Sequence, residues 1–229
     1  MPRLSVPPNF IGTASADTIV GEELNASVAI GIEILSKGLI DTRSEKDTIK
    51  GTGTGRSNGG FFDPVGGTGI GITNSGKLNT GDGEDTIIGT GNGGFYVPVG
   101  ATGTGIANSG SLNTGLGNDR ISGTGNGGSI NFLGDGGTGT GIVNSGSLNT
   151  GSGNDTITGT GNGGKGSGDD DIPDSRDGGT GIGIVNSGNS GSLNTGLGND
   201  MIADTGKGGN NSYFGNGGTG TGIPNSGTL

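Results

Sequence analysis

The chain has 229 residues, of which 61 are glycine, 25% apolar and only 3% aromatic, with a net charge of −10 and neither cysteine nor histidine. That removes disulfides, thiolate and imidazole metal sites, the commonest general base, and the clustered cations that nucleic acid requires. So little apolar surface cannot offset chain entropy in an ordinary core, and proline totals only seven with glycine off any strict third position, which excludes collagen.

In chain order, "MPRLSVPPNFIG" lacks the apolar centre of a secretory signal, and no stretch approaches a membrane span. Residues 1–28 read as an N-terminal half-repeat and cap, because "NFIGTASADTIVGE" matches the second half of a unit that recurs downstream. "GEELNASVAIGIEIL", the least glycine-rich stretch, is expected to hold an irregular segment near Asn25 with a helical turn. The solenoid proper is placed at 29–229.

A diverged repeat occupies 29–53, followed by copies at 67–94, 101–128, 137–164 ("GTGTGIVNSGSLNTGSGNDTITGTGNGG") and, with an extra "NSG", 179–209. Leu78, Leu112, Leu148 and Leu193 stand 34, 36 and 45 residues apart, and the added length lies mainly after "GNGG" in segments of variable sequence. A regular frame with variable insertions on one edge is the pattern of a stacked solenoid. Three short strands fit each frame: one ends at Ile142, one centres on Leu148 and one on Ile157, each bounded by turn residues. Stacking aligns Ile72, Ile106, Ile142 and Ile184, then the leucines, then Ile87, Ile121, Ile157 and Ile202, a narrow core that no repeat could bury alone. Asn74, Asn108, Asn144, Asn186 and Asn225 form one turn column, and Asn79, Asn113, Asn149 and Asn194 another. Asx turns account for both, and stacked amides can also pair along the axis.

The turn "TGxGxD" sets Asp85, Asp119, Asp155 and Asp200 in a column, with Asp47 and Asp17 in the N-terminal copies. At a rung spacing of ~4.8 Å neighbouring carboxylates repel by about 0.9 kcal/mol in water and ~3.5 kcal/mol at an effective dielectric of 20. Either backbone N–H groups cap each carboxylate or a cation sits between rungs. "TGSGNDTIT" and "TGLGNDRIS" resemble the nonapeptide of haemolysin-type, or RTX (repeats-in-toxin), proteins. The resemblance implies a parallel β-roll in which glycine-loop carbonyls and the aspartate bind calcium, here through Gly81, Gly83 and Asp85; Gly115, Gly117 and Asp119; Gly151, Gly153 and Asp155; and Gly196, Gly198 and Asp200. Thr80, Thr114, Thr150 and Thr195 stand where that nonapeptide has its first glycine, and one copy occurs per repeat instead of a tandem run.

Asp169, Asp170, Asp171, Asp174 and Asp177 form an acidic insertion, read as a solvated loop. Threonine rows in "GTGTGI" invite an ice-binding reading. Thr102, Thr104 and Ile106 match Thr180, Ile182 and Ile184, however, and a slot shared by Thr and Ile is expected to face inward. Thr156, Thr158 and Thr160 in the third strand likewise become Arg120, Ser122 and Thr124. No phosphate loop or nucleophile with its base stands out, so no enzyme is expected.

The sequence stops at "GTGTGIPNSGTL", half a frame that begins near 218, and this leads to the expectation that subunits join head to tail by complementary half-repeats into a filament. The reading is an all-β parallel β-solenoid, a single elongated domain acting as a non-enzymatic extracellular or cell-surface structural protein, calcium-stabilised and self-assembling. The alternative is a monomeric calcium-binding adhesin whose insertions, with Phe95, Tyr96, Phe132, Tyr213 and Phe214, meet a surface ligand.

Overall fold

The computed structural model describes residues 3–57, 66–95, 99–130, 133–168, 176–188, 190–211 and 216–223. Asn225, Asp169, Asp170, Asp171, Asp174, Tyr96, Phe132, Tyr213 and Phe214 lie outside them.

The chain winds as a parallel β-solenoid with one coil per repeat and three strands per coil. Coil one is β1 (Leu4–Val6), β2 (Phe10–Ile11) and β3 (Thr18–Ala26); coil two is β4 (Val28–Ile34), β5 (Leu39–Asp41) and β6 (Thr48–Gly55). Coil three is β7 (Thr68–Asn74), β8 (Lys77–Asn79) and β9 (Thr86–Asn92); coil four is β10 (Gly103–Asn108), β11 (Ser111–Asn113) and β12 (Arg120–Asn126). Coil five is β13 (Gly139–Asn144), β14 (Ser147–Asn149) and β15 (Thr156–Asn162); coil six is β16 (Gly181–Asn186), β17 (Ser192–Asn194) and β18 (Met201–Lys207), after which β19 (Gly220–Thr221) begins a seventh. The first, second and third strands of successive coils pair in register into three all-parallel sheets, here A, B and C. At ~4.8 Å per coil, six coils rise only about 29 Å.

Residues 1–28 are therefore more than half a coil. Leu4–Val6 pairs with β4, so the first coil already has its own sheet A strand. The expected helical turn is absent as well: "GEELNASVAIGIEIL" forms β3 and β4, and Asn25, at φ 62°, marks a bulge where the β3–β6 register shifts. Its glycine-poor composition reflects strands that stack on β-branched neighbours.

In cross-section each coil is a wedge. At the broad end the three aliphatic columns meet: Ile72, Ile106, Ile142 and Ile184 from sheet A, the leucines from sheet B, and Ile87, Ile121 and Ile157 from sheet C, all with 2% exposure or less. Val6 and Ile34 continue the core at the position that Asn74 occupies in coil three. At the narrow end sheets A and C lie backbone to backbone across a seam of inward glycines. A methyl group on Gly105 would meet the Thr124 nitrogen at 2.3 Å and the Gly141 oxygen at 2.4 Å. Glycine is the packing residue of this seam.

The seam explains why the Thr/Ile slot turns away from the sheet A–sheet C interior, although Ile30 and Thr140 in that slot are buried and Ile70, Thr104 and Ile182 half-buried. Gly105 turns in toward β12 and so does the next residue, Ile106, and the β10–β13 ladder skips Gly105. Alternation counted back from Ile106 changes phase there, which turns Thr104 and Ile182 out.

Candidate functional site: the aspartate column and the loop edge

Each "TGxGxD" turn joins sheet B to sheet C. Its two glycines take left-handed backbone, φ 88° and 154° at Gly81 and Gly83, 94° and 138° at Gly115 and Gly117, 92° and 144° at Gly151 and Gly153, and 77° and 148° at Gly196 and Gly198. In coil two Arg43 and Glu45 hold the equivalent positions, also at positive φ (77° and 76°), which for residues bearing a Cβ costs roughly 1–2 kcal/mol each.

The turns stack directly. The Leu116 N–H donates to the Gly81 carbonyl (3.2 Å), Ser152 to Gly115 (3.0 Å) and Leu197 to Gly151 (3.0 Å). Gly83, Gly117 and Gly153 in turn donate to the carbonyls of Leu116, Ser152 and Leu197 at 2.7–2.8 Å. The aspartates follow, with side chains turned inward: Asp47, Asp85, Asp119 and Asp155 are buried, whereas Asp17 and Asp200 are half-buried. Each backbone N–H donates to the Oδ1 of the next coil's aspartate. Asp17 reaches Asp47 at 2.7 Å, Asp47 reaches Asp85 at 2.8 Å, Asp85 reaches Asp119 at 2.8 Å, Asp119 reaches Asp155 at 2.8 Å and Asp155 reaches Asp200 at 3.0 Å. All six predicted aspartates thus come together in one axial ladder, capped by backbone N–H groups.

Half of each carboxylate stays unanswered: Oδ2 of Asp47, Asp85, Asp119 and Asp155 is buried without a hydrogen-bond partner. The neighbouring threonine hydroxyls lie beside the carboxylates but are shared with backbone carbonyls, Thr80 with that of Thr114 (3.3 Å) and Thr114 with that of Thr150 (3.0 Å), so they offset burial only in part. Burial consequently raises the Asp85 carboxyl, against the Thr80 hydroxyl and the Asp47 N–H, with the charges of Asp47 and Asp82 adding to the rise. Burial also pushes Asp119 up to about 6, opposed by the Asp85 N–H and Thr114 and assisted by Asp85 and Asp155.

Calcium takes six to eight oxygens. Here the Gly81, Gly115 and Gly151 carbonyls and the Oδ1 atoms of Asp47, Asp85, Asp119, Asp155 and Asp200 are engaged in rung-to-rung bonds, and among the described residues no three acidic side chains converge. The donor set does not fit the coordination that the haemolysin-type resemblance implies.

A pH prediction follows. A carboxyl whose folded pKa lies above its unfolded value favours the fold fully below the unfolded value, and loses that contribution as pH rises through the folded one. For Asp119 the window runs from its ordinary 3.8 to about 6. Asp119→Asn keeps an oxygen for the Asp85 N–H and removes the buried charge. At pH 7 it is expected to melt about 2–6 °C above wild type, on the order of 1–2 kcal/mol, with the gap closing by about pH 4. Scanning calorimetry across that range checks it, and a lower melting point at pH 7 would sink the capped-ladder account.

Both asparagine columns named from sequence are hydrogen-bonded chains, but of opposite sense. The Asn74, Asn108 and Asn144 amides donate toward the next coil's oxygen at 2.8 Å, whereas Asn113, Asn149 and Asn194 donate back toward the preceding coil at 2.7–2.9 Å. A third ladder, Asn162 to Asn126 to Asn92, was not anticipated (2.8 and 2.7 Å), although the repeated "GTGNGG" carried its signal.

The variable segments emerge at the narrow edge, between sheet C and the next sheet A strand. They stack on one another through bridges such as Val99 to Asp135 and Gly166 to Asn211. The Asp177 N–H donates to Asp135 Oδ1 (2.8 Å), and the Asn216 N–H to Asp177 Oδ1 (2.9 Å). Phe95 is 41% exposed on this edge. A cavity of about 480 Å³ opens there across three coils, lined by Ser129, Asn162, Lys165, Lys207 and Asn210 among others.

No helix among the described residues is long and apolar enough to cross a membrane. Comparisons with protein-family models, with curated proteins and with solved structures each returned no match.

Proposed function

We propose that the protein is a non-enzymatic, monomeric structural module, extracellular or at a cell surface, whose solenoid frame displays variable loops along one edge. The observation that carries this reading is the division of labour in each coil. Strands, turns and most inward side chains repeat and satisfy one another from coil to coil, whereas sequence and length vary most where the loops leave the glycine seam, beside the open cavity lined by Lys165 and Lys207. Its placement outside the cell rests on the resemblance of "TGSGNDTIT" to haemolysin-type repeats.

A split-repeat filament suits this geometry less well, because the first coil brings its own sheet A strand and would duplicate β19 instead of completing it. Sedimentation of the purified chain at high concentration, in calcium and in chelator, tests the proposal. One monomeric, folded species is expected in both. Polymers would favour the filament, and unfolding in chelator would restore calcium to the aspartate column.

A further inference from the structure

The cavity on the loop edge lies where two coils depart from the repeat. The residue after "GNGG" is Phe95 in coil three, Ser129 in coil four and Lys165 in coil five. These positions stack: the Phe95 N–H donates to the Ser57 hydroxyl (3.2 Å), and the Lys165 N–H to that of Ser129 (3.1 Å). The third-ladder position is Asn92, Asn126 and Asn162 in coils three to five, and Lys207, paired with Asn162, in coil six. Each change puts a long cation where the preceding coils have none, and both cations line the same opening.

That opening, of about 480 Å³, has the size of a small-molecule site. Ser129, Asn162, Lys165, Lys207 and Asn210 line it together with glycines, so among the described residues its wall carries neither a carboxylate nor an apolar side chain. The chain has 21 acidic residues against 11 basic ones, yet among the described residues neither the Lys165 nor the Lys207 ammonium has an ion-pair or hydrogen-bond partner. Lys207 also ends the third ladder. Asn92 and Asn126 each accept the next coil's amide, at 2.7 and 2.8 Å, but coil six has no amide at this position to offer Asn162 Oδ1.

An ammonium on a four-carbon stem is a point charge with three donors, suited to an oxyanion and tolerant of its geometry. Two of them fix the sign of the ligand. The amides of Asn162 and Asn210 and the Ser129 hydroxyl both donate and accept, which suits hydroxyl groups. A wall without apolar or aromatic side chains gives lipid tails nothing to bury against and nucleobases nothing to stack on.

We propose that this cavity binds a small acidic saccharide, whose carboxylate or sulfate pairs with Lys165 and Lys207 while its hydroxyls bond to Asn162, Asn210 and Ser129. The inference names the ligand class of the loop edge and rests on the reading of that edge as a display surface.

The test is calorimetric titration of the full chain with a digalacturonate disaccharide, with the neutral digalactose and with inorganic sulfate, at low and at physiological ionic strength. Wild type is expected to bind the digalacturonate, more weakly as salt rises, and to bind the other two less well. The double variant Lys165→Ser, Lys207→Asn carries the residues of neighbouring coils and should lose about tenfold in affinity, as two exposed ion pairs together supply. In wild type, amide shifts on titration should centre on residues 162–165 and 207–210. No binding, shifts confined to other residues, equal binding of digalactose, or undiminished binding by the folded double variant overturns the site. Sulfate bound as tightly as digalacturonate overturns the saccharide assignment. After any of these failures, a chain that still sediments as a folded monomer retains the module reading, which only polymers or unfolding in chelator overturn.

Discussion

Gly105→Ala is expected to destabilise the protein by about 3 kcal/mol or more, as much as a large core truncation, although it adds one methyl group to a residue that composition would class as loop. The added carbon would lie 2.3 Å from the Thr124 nitrogen, across the seam in the sheet C ladder, and 2.4 Å from the Gly141 oxygen on the adjacent sheet A strand, and both are backbone atoms. Neither can rotate away, so relief requires sheets A and C to separate along several coils. Separation would in turn expose the ladder groups that the seam covers. Gly188 provides the internal control. Its φ is +81° and nothing stands within 4 Å of an added methyl, so Gly188→Ala meets only the left-handed backbone penalty of roughly 1 kcal/mol. Urea unfolding of the two variants checks the ratio. Equal losses would mean that the seam is looser than its geometry, and that glycine is used there for chain flexibility alone.

Much of this architecture was legible in the sequence, since an in-register solenoid writes each coil as a copy of the last. The columns of Ile106, Leu112 and Ile121 could be read directly, and so could the aspartate ladder, because equivalent residues must stack when every coil has the same three strands. What could not be read was which face a residue takes once regular alternation fails. At Gly105 two successive residues turn inward, and no two-residue period anticipates that. The seam itself was hidden for a related reason: glycine signals turns in most chains, whereas here it allows two sheets to touch. Asn25 misled for the opposite reason, as an apparent break that proved to be a bulge inside paired strands. For the aspartates, position followed from the repeat, but partner choice depended on whether the turns stack closely enough for one coil's N–H to reach the next carboxylate. They do, at 2.7–3.0 Å.

The buried asparagine ladder should be the most sensitive polar feature. Asn108 donates to Asn144 Oδ1 (2.8 Å) and to the Ser147 carbonyl (2.9 Å), and it accepts from the Asn74 amide (2.8 Å), with all three asparagines at 2% exposure or less. Asn108→Ala removes these three bonds and leaves the Asn144 oxygen and one Asn74 proton out of reach of water, with the Ser147 carbonyl part-buried. With each orphaned buried group costing about 1–3 kcal/mol, a loss of roughly 3–5 kcal/mol is expected. Asn126→Ala, in the half-buried third ladder, should cost only about 1 kcal/mol because water can replace the lost partners. Denaturant unfolding of both variants decides the matter, and comparable losses would show that the inner ladder is not sealed. A lone aliphatic replacement at Asn108 should fare no better than alanine, even though Val6 and Ile34 fill the same column in coils one and two. There the apolar residues form a block, and the amide chain begins only where its last oxygen finds the Gly76 N–H (3.1 Å) and closes where Asn186 finds the Gly191 carbonyl (3.3 Å). The column tolerates either chemistry in a run whose ends are satisfied, and a single substitution in the middle creates two new ends with nothing to satisfy them.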